Sequence, residues 1–137
     1  MVEDNKLDVF IVREAFSHYQ IPAILDVIED GDAAIRLIDF IEGQELAPAP
    51  ALILLDLNLP KRSGTEVLAH LRSSQRLSQT SVLVVTSSRS QADKAKIDQL
   101  GVQGYFLKPA SYDEFLKIGE LVLKTLHKSD NASAESG

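Results

Sequence analysis

The feature that most constrains this fold is a run of four apolar residues, Leu52 to Leu55, that ends at Asp56. Consecutive apolar residues without alternation indicate a strand buried on both faces, as in a parallel sheet. Pro60 follows shortly, and it lacks the backbone N–H that continued strand pairing needs. Asp56 is therefore predicted at the carboxyl end of a buried strand, where open α/β sheets place their ligand crevice. Taken alone, this acid is equally compatible with a simple strand cap or turn.

Strands and helices alternate along the rest of the chain. Apolar spacing predicts helices at about 8–19, 90–100 and 111–127, a second helix around Ala34 to Ile41 and a third around Val67 to Leu71. Apolar runs predict strands at 24–28, 52–55, 81–86 and 104–107. Ser90 with Asp93, and Ser111 with Glu114, have the spacing of helix capping boxes. This order predicts a parallel sheet with helices on both faces and right-handed crossovers.

Composition narrows the class of protein. The 137 residues suit one domain, predicted over 1–128, and the polar residues 129–137 are predicted to be a disordered tail. A net charge of -6 argues against a basic nucleic-acid-binding surface, and the lack of cysteine excludes disulfides and thiolate metal sites. No apolar run has membrane-spanning length, and the acidic start is unlike a secretory signal. We therefore expect a cytoplasmic protein that binds neither nucleic acid nor membranes.

Polar residues at the predicted strand ends form a set. Glu3 and Asp4 precede the first helix, Asp56 and Thr86 end two strands, and Lys108 ends the last. Because the carboxyl ends of parallel strands share one edge, these groups are predicted to converge. Three carboxylates so close favour a hard cation such as Mg²⁺, and a lysine and a hydroxyl suit a phosphoryl group. An acid–lysine cluster that only pairs internally is the other interpretation.

The combined pattern resembles the receiver domains of response regulators, the phosphoacceptor modules of two-component signalling. The matching segments are Glu3-Asp4-Asn5, LDLNLP around Asp56, Gly64, Thr86-Ser87 and Tyr105 to Pro109. The resemblance covers Glu3 to about His127 and is greatest to small stand-alone regulators, including those paired with bacterial phytochrome kinases. It implies a flavodoxin-like, doubly wound sheet of five parallel strands in the order 2-1-3-4-5.

The resemblance also implies a chemistry. Asp56 would be the phosphoacceptor, a carboxylate nucleophile that forms an acyl phosphate. Glu3, Asp4 and Asp56 would hold Mg²⁺, with the backbone carbonyl of Asn58 as a further ligand. Such a protein would catalyse only its own phosphorylation and dephosphorylation and would not be an enzyme in the usual sense.

A switch and a set of partners are implied as well. Lys108 would pair with the phosphoryl oxygens, with a cis bond to Pro109. Thr86 would follow the phosphoryl group, and Tyr105 would swing inward as Thr86 moves. The expected partner is a sensor histidine kinase, a phytochrome-like one being a candidate, or a phosphotransfer protein. The fourth helix, last strand and last helix would form a homodimer or target face.

Two other functions remain open from the sequence. Magnesium-dependent phosphatases of the haloacid dehalogenase type resemble DxDxT, with a second acid two residues after the nucleophile. Here that position is Asn58, which is unsuited to proton transfer, so this alternative is weaker. A degenerate receiver that acts only as a docking module is the other alternative, against which Asp56, Thr86 and Lys108 argue.

The N-terminus departs from the family pattern. Only Met1 and Val2 precede Glu3, where a receiver normally has a full apolar strand. We therefore expect a truncated first strand, with either a true start upstream or a gap filled by rearrangement or by a partner chain. Poorly anchored Glu3 and Asp4 would weaken Mg²⁺ binding.

Overall fold

The computed structural model describes the backbone of residues 1–136 and the side chains of residues 1–128. Within that part of the chain, the helices are α1 (Lys6–His18), α2 (Gly31–Glu42), α3 (Gly64–Ser73), α4 (Gln91–Leu100), α5 (Tyr112–Leu116) and α6 (Ile118–Ser136), and the strands are β1 (Ile53–Leu55), β2 (Val82–Thr86) and β3 (Gly104–Leu107). The predicted disordered tail, 129–137, lies outside the residues described in full, so that prediction is not tested.

The sheet is parallel, with β2 at its centre. Between β1 and β2, Ile53 pairs with Val82, and between β2 and β3, Leu83 pairs with Gly104. All five residues of β2 are buried. The apolar run before Asp56 is thus a strand of a parallel sheet, as predicted.

The predicted count of five strands is not confirmed. At the positions of the first two predicted strands the described chain forms only isolated bridges, in which Val2 joins Ile28 on one side and Leu55 on the other. The amide of Val2 donates to the Leu54 carbonyl at 2.8 Å, and the amide of Glu3 donates to Ile28 at 2.9 Å. The segment around Val2 thus pairs at a single position on each side. The spatial order Ile28, Val2, β1, β2, β3 nevertheless matches the predicted 2-1-3-4-5.

The core lies in two layers, one on each face of the sheet. Successive strand residues point to opposite faces, so that Leu55 and Val84 pack with α2, α3 and α4. Leu54 and Val85 pack on the other face, with α1, α5 and α6. Helices thus cover both faces, which confirms the doubly wound class.

The helix starts follow from side-chain caps. The side chains of the N-cap residues accept a hydrogen bond from a backbone amide three residues on, and these residues are Asn5, Asp30, Ser63, Ser90 and Ser111. Because Asn5 caps α1, that helix begins at Lys6 rather than at the predicted Asp8. Glu3 and Asp4 consequently lie immediately before a rigid helix.

The predicted last helix is interrupted at one residue. Lys117 separates α5 from α6, where the amide of Lys117 donates to Glu114 and that of Glu120 donates to Lys117. These bonds span three residues rather than four, which tightens the turn locally. Near this break Gly119 lies against the ring of Tyr19, the residue that ends α1 as its C-cap, so close that a Cβ on Gly119 would lie 2.2 Å from the ring.

Candidate functional site

An open pocket of about 580 Å³ lies where the strand ends meet the start of α1. The charged residues that line it are Glu3, Asp4, Asp8, Asp56, Arg89 and Lys108. The structure therefore brings together the acids and the lysine that the sequence placed at strand ends. It also adds Asp8 and Arg89, which the sequence analysis did not identify.

Lys108 is the centre of a buried ion cluster. Its Nζ lies 2.6 Å from Glu3 Oε1, 2.7 Å from Asp8 Oδ2 and 2.9 Å from Asp56 Oδ2. Because the lysine side chain is only 11% exposed, water screens these short, charge-assisted bonds little, and they are strong. Burial alone would lower the pKa of Lys108, but its hydrogen bonds to the three carboxylates outweigh this and raise the pKa above its ordinary value. Lys108 is thus held as an ammonium.

The pKa values of the two buried acids of the cluster are shifted in opposite directions. Burial raises the pKa of Glu3 to about 7, although its hydrogen bond to Lys108 opposes the shift, and the charge of Asp56 raises it further. Burial would also raise the pKa of Asp56, but hydrogen bonds and charge from Lys108, with a hydrogen bond from the Thr86 hydroxyl, outweigh it and hold that pKa below its ordinary value. Asp56 is therefore the carboxylate kept ionised, as a nucleophile must be.

The acidic residues fit a divalent cation. Glu3, Asp4 and Asp56 each present an oxygen within 4.8 Å of the other two, with Glu3 and Asp56 buried and Asp4 exposed. Three carboxylate oxygens with an open side suit a hard cation that keeps several waters. Asn58 lines the same pocket, and its amide donates to Asp56 Oδ1 at 3.3 Å. That the backbone carbonyl of Asn58 binds the metal ion remains a prediction.

The residues of the predicted switch are connected through a loop residue. Thr86 is fully buried at the end of β2, and its Oγ1 accepts a hydrogen bond from the amide of Ser88 at 3.2 Å. The Tyr105 hydroxyl donates to the carbonyl of the same Ser88 at 3.1 Å. Ser88 also donates from its hydroxyl to Asp93 on α4 at 3.1 Å. The inward movement of Tyr105 is not tested by a single conformation.

One backbone expectation at this site is wrong. The Lys108–Pro109 peptide bond is trans, like every other peptide bond in the described part of the chain. The trans form of an X–Pro bond is intrinsically favoured, by about 0.5–1 kcal/mol. Lys108 reaches all three carboxylates with this geometry.

A glycine allows α3 to approach the strand end that carries Asp56. The amide of Gly64 donates to the carbonyl of Leu57 at 2.9 Å. A Cβ at Gly64 would lie 2.0 Å from the carbonyl oxygen of Asp56, so no larger residue fits without displacement. The Gly64 of the sequence motif is thus explained by a backbone contact.

Comparison with known proteins agrees with this geometry. The response regulator receiver domain family matches residues 1–120 of the chain. The chain belongs to this family. Response regulator Rcp1 from Synechocystis sp. (strain ATCC 27184 / PCC 6803 / Kazusa) is 36% identical over 118 residues, which cover 86% of this chain and 80% of Rcp1.

Solved structures give the same result. The crystal structure of the phosphorylated cyanobacterial phytochrome response regulator RcpA superposes with a TM-score of 0.79 at 34% identity, covering 88% of this chain and 86% of RcpA. The Mn²⁺-bound form of Rcp1 superposes with a TM-score of 0.78 at 35% identity, covering 88% of this chain and 87% of that one.

Several predictions from the sequence are thereby confirmed. The receiver domain has the predicted doubly wound parallel fold and is that of a two-component response regulator, so the phosphatase alternative is not favoured. The acidic cluster is of the kind that holds a metal in this family, and the Rcp1 structure contains Mn²⁺. Among the described residues, no helix has the length and apolarity needed to span a bilayer.

Proposed function

We propose that this receiver domain accepts a phosphoryl group on Asp56 and signals by the surface change that follows. The observation that carries the proposal is the ion pair between Asp56 Oδ2 and Lys108 Nζ, 2.9 Å long, inside the acidic pocket. The pair keeps Asp56 ionised and places a cation beside the carboxylate that would react.

The transfer step follows from these positions. A carboxylate oxygen of Asp56 forms a bond to phosphorus while the bond from phosphorus to the donor's leaving atom breaks, and that atom keeps the bonding electron pair. In a histidine kinase this atom is an imidazole nitrogen, and in acetyl phosphate it is an oxygen. Asp56 needs no general base because it is already ionised. Lys108 then pairs with the oxygens of the new phosphoryl group.

We further propose that the resident cation is Mg²⁺, bound by Glu3, Asp4, Asp56 and the carbonyl of Asn58. When bound, the ion would offset the charge of the carboxylates and of the phosphoryl oxygens. Support comes from the three converging carboxylate oxygens and from the Mn²⁺ in the related Rcp1 structure.

The partners follow from the family. The proposed location of this protein is the cytoplasm, and the proposed donor is a sensor histidine kinase, with a phytochrome-like one as a candidate, or a phosphotransfer protein. The similarity to RcpA, a phytochrome response regulator, supports the phytochrome-like kinase. We propose α4, β3 and the α5–α6 segment as the face for a homodimer or target. Catalysis would be limited to the domain's own phosphorylation and dephosphorylation.

The test is incubation with acetyl phosphate, with and without Mg²⁺, followed by intact mass measurement. The wild type should gain one phosphoryl group, and chelator should suppress the gain. Asp56→Asn should not be modified, whereas the control Asp113→Asn, which alters an exposed acid at the start of α5, should behave as wild type. Modification that persists in Asp56→Asn would show that another residue is the acceptor. Rapid release of phosphate over many turnovers would favour a hydrolase instead.

A further inference from the structure

Asp8 is the one carboxylate of the Lys108 cluster that lies outside the proposed cation site. Its Oδ2 lies 2.7 Å from Lys108 Nζ, a distance comparable to those of Glu3 and Asp56. Its oxygens are not among the three that converge as candidate metal ligands in the described part of the chain. Asp8 therefore contacts the lysine without belonging to the group that would hold the ion.

The hydrogen bonds at the start of α1 leave the Asp8 carboxylate free of the capping role usual at its position. The Asn5 side chain accepts a hydrogen bond from the Asp8 amide at 3.1 Å, which makes Asp8 the third residue of the helix. An acid at this position commonly reaches back to the amide of the N-cap residue. Here the amide of Asn5 donates instead to Glu3 Oε2 at 3.3 Å. The carboxylate of Asp8 is thereby directed to Lys108, and its side chain is only 15% exposed.

The three hydrogens of an ammonium group match the three carboxylates around Lys108. In the proposed function, two of those carboxylates change partners, because Glu3 turns to the cation and Asp56 takes up the phosphoryl group. Asp8 takes part in neither change. We propose that Asp8 is a positioning residue that holds the Lys108 ammonium beside Asp56 throughout phosphoryl transfer. This inference rests on the proposed function of Asp56 and Lys108.

A simpler role for Asp8 is to stabilise the start of α1, as acids near a helix N-terminus generally do. The two roles differ in their dependence on Lys108. A positioning residue loses its effect when the lysine is removed, whereas a helix-stabilising residue keeps it. A double-mutant cycle therefore separates them.

The experiment measures the rate of Asp56 phosphorylation by acetyl phosphate in wild type, Asp8→Asn, Lys108→Ala and the double variant. Asp8→Asn retains the size and an acceptor oxygen but loses the charge, so transfer should slow about fivefold. In the Lys108→Ala background the same change should alter the rate by less than about twofold. Glu14→Gln removes a charge from an exposed position of α1 and should leave the rate unchanged.

A second measurement avoids the transfer step, should Lys108→Ala react too slowly. Beryllofluoride, which mimics a phosphoryl group on a carboxylate, is titrated in the presence of Mg²⁺ into the same four proteins. Asp8→Asn should weaken its binding about fivefold only where Lys108 is present. Equal effects in both backgrounds, no effect, or tighter binding would overturn the role of Asp8. Labelling that survives Asp56→Asn would instead overturn the proposed function itself.

Discussion

Replacing Gly64 with alanine tests the link between the fold and the site. The new Cβ would lie 2.0 Å from the Asp56 carbonyl oxygen and 2.7 Å from the Cα of Leu57, whereas real contacts of this kind are essentially never below 3.0 Å. The start of α3 must therefore move about 1 Å away from the end of β1. Both obstacles are backbone atoms, so no side-chain rotation relieves the overlap.

The cost can be estimated from the interactions that this movement disturbs. Overpacking in a dense region costs about 1–3 kcal/mol. Weakening the hydrogen bond from Gly64 to the Leu57 carbonyl adds about 1 kcal/mol. The free energy of unfolding should thus fall by about 2–4 kcal/mol, which lowers the melting temperature by roughly 8–15 °C for a domain of this size. Mg²⁺ affinity should fall too, because the new Cβ presses on the backbone that carries Asp56.

The assay is urea denaturation followed by circular dichroism, with metal titration on the same samples. Gly43→Ala is the matched control, since its Cβ would lie 3.5 Å from the nearest backbone oxygen and its φ is -83°. That variant should be neutral or more stable by about 0.4–1 kcal/mol. If Gly64→Ala unfolds at the same urea concentration as wild type, the steric argument is wrong.

Three further predictions concern the switch, the cation and the loop packing. Thr86→Ala should still bind Mg²⁺ but should lose the phosphorylation-dependent chemical-shift change at Tyr105, and wild-type shifts there would contradict the switch. Because Glu3 has a pKa of about 7 and a cation binds its ionised form, divalent-metal affinity measured by calorimetry should fall as the pH drops from 8 to 6. Glu3→Gln should flatten that pH dependence, and an unchanged slope would refute the assignment. Arg72→Met should lower the free energy of unfolding, measured by urea denaturation, by about 2–3 kcal/mol, because the Arg72 guanidinium donates to the carbonyls of three loop residues. A loss below about 0.5 kcal/mol would show that these bonds do not stabilise the loops.

The sequence predicted the parts of this structure that depend on local pattern. The unbroken apolar runs at β1 and β2 have no polar residue to place on a solvated face, so a buried parallel sheet was the only good arrangement for them. Ser90 and Ser111 were predicted as caps because a short hydroxyl side chain reaches the amide three residues on. Once those strands were placed, the meeting of Asp56 and Lys108 at one edge followed from topology.

Other features depend on contacts that no local pattern encodes. Asp8 marked only the expected start of a helix, and its bond to Lys108 exists because Asn5 moves that start to Lys6. One available signal was its spacing from Asn5, since a residue three positions after an N-cap asparagine is held at the start of the helix. The carbonyl of Ser88 has no sequence signature at all, because every residue carries one. The strand order 2-1-3-4-5 was implied by the family resemblance, and the bridges of Val2 to Ile28 and to Leu55 keep that order although neither segment forms a full strand.

The contacts of Ser88 show how a change at Asp56 can reach the surface. The Thr86 hydroxyl hydrogen-bonds to Asp56 and accepts from the amide of Ser88, so it is attached to the site and to the loop at once. A shift of that hydroxyl toward a phosphoryl oxygen would stretch or break the bond from Ser88. Ser88 in turn holds the Tyr105 hydroxyl through its carbonyl and Asp93 of α4 through its side chain. A displacement of this one residue would therefore release the aromatic ring of β3 and the first turn of α4 together, on the face proposed for partner binding.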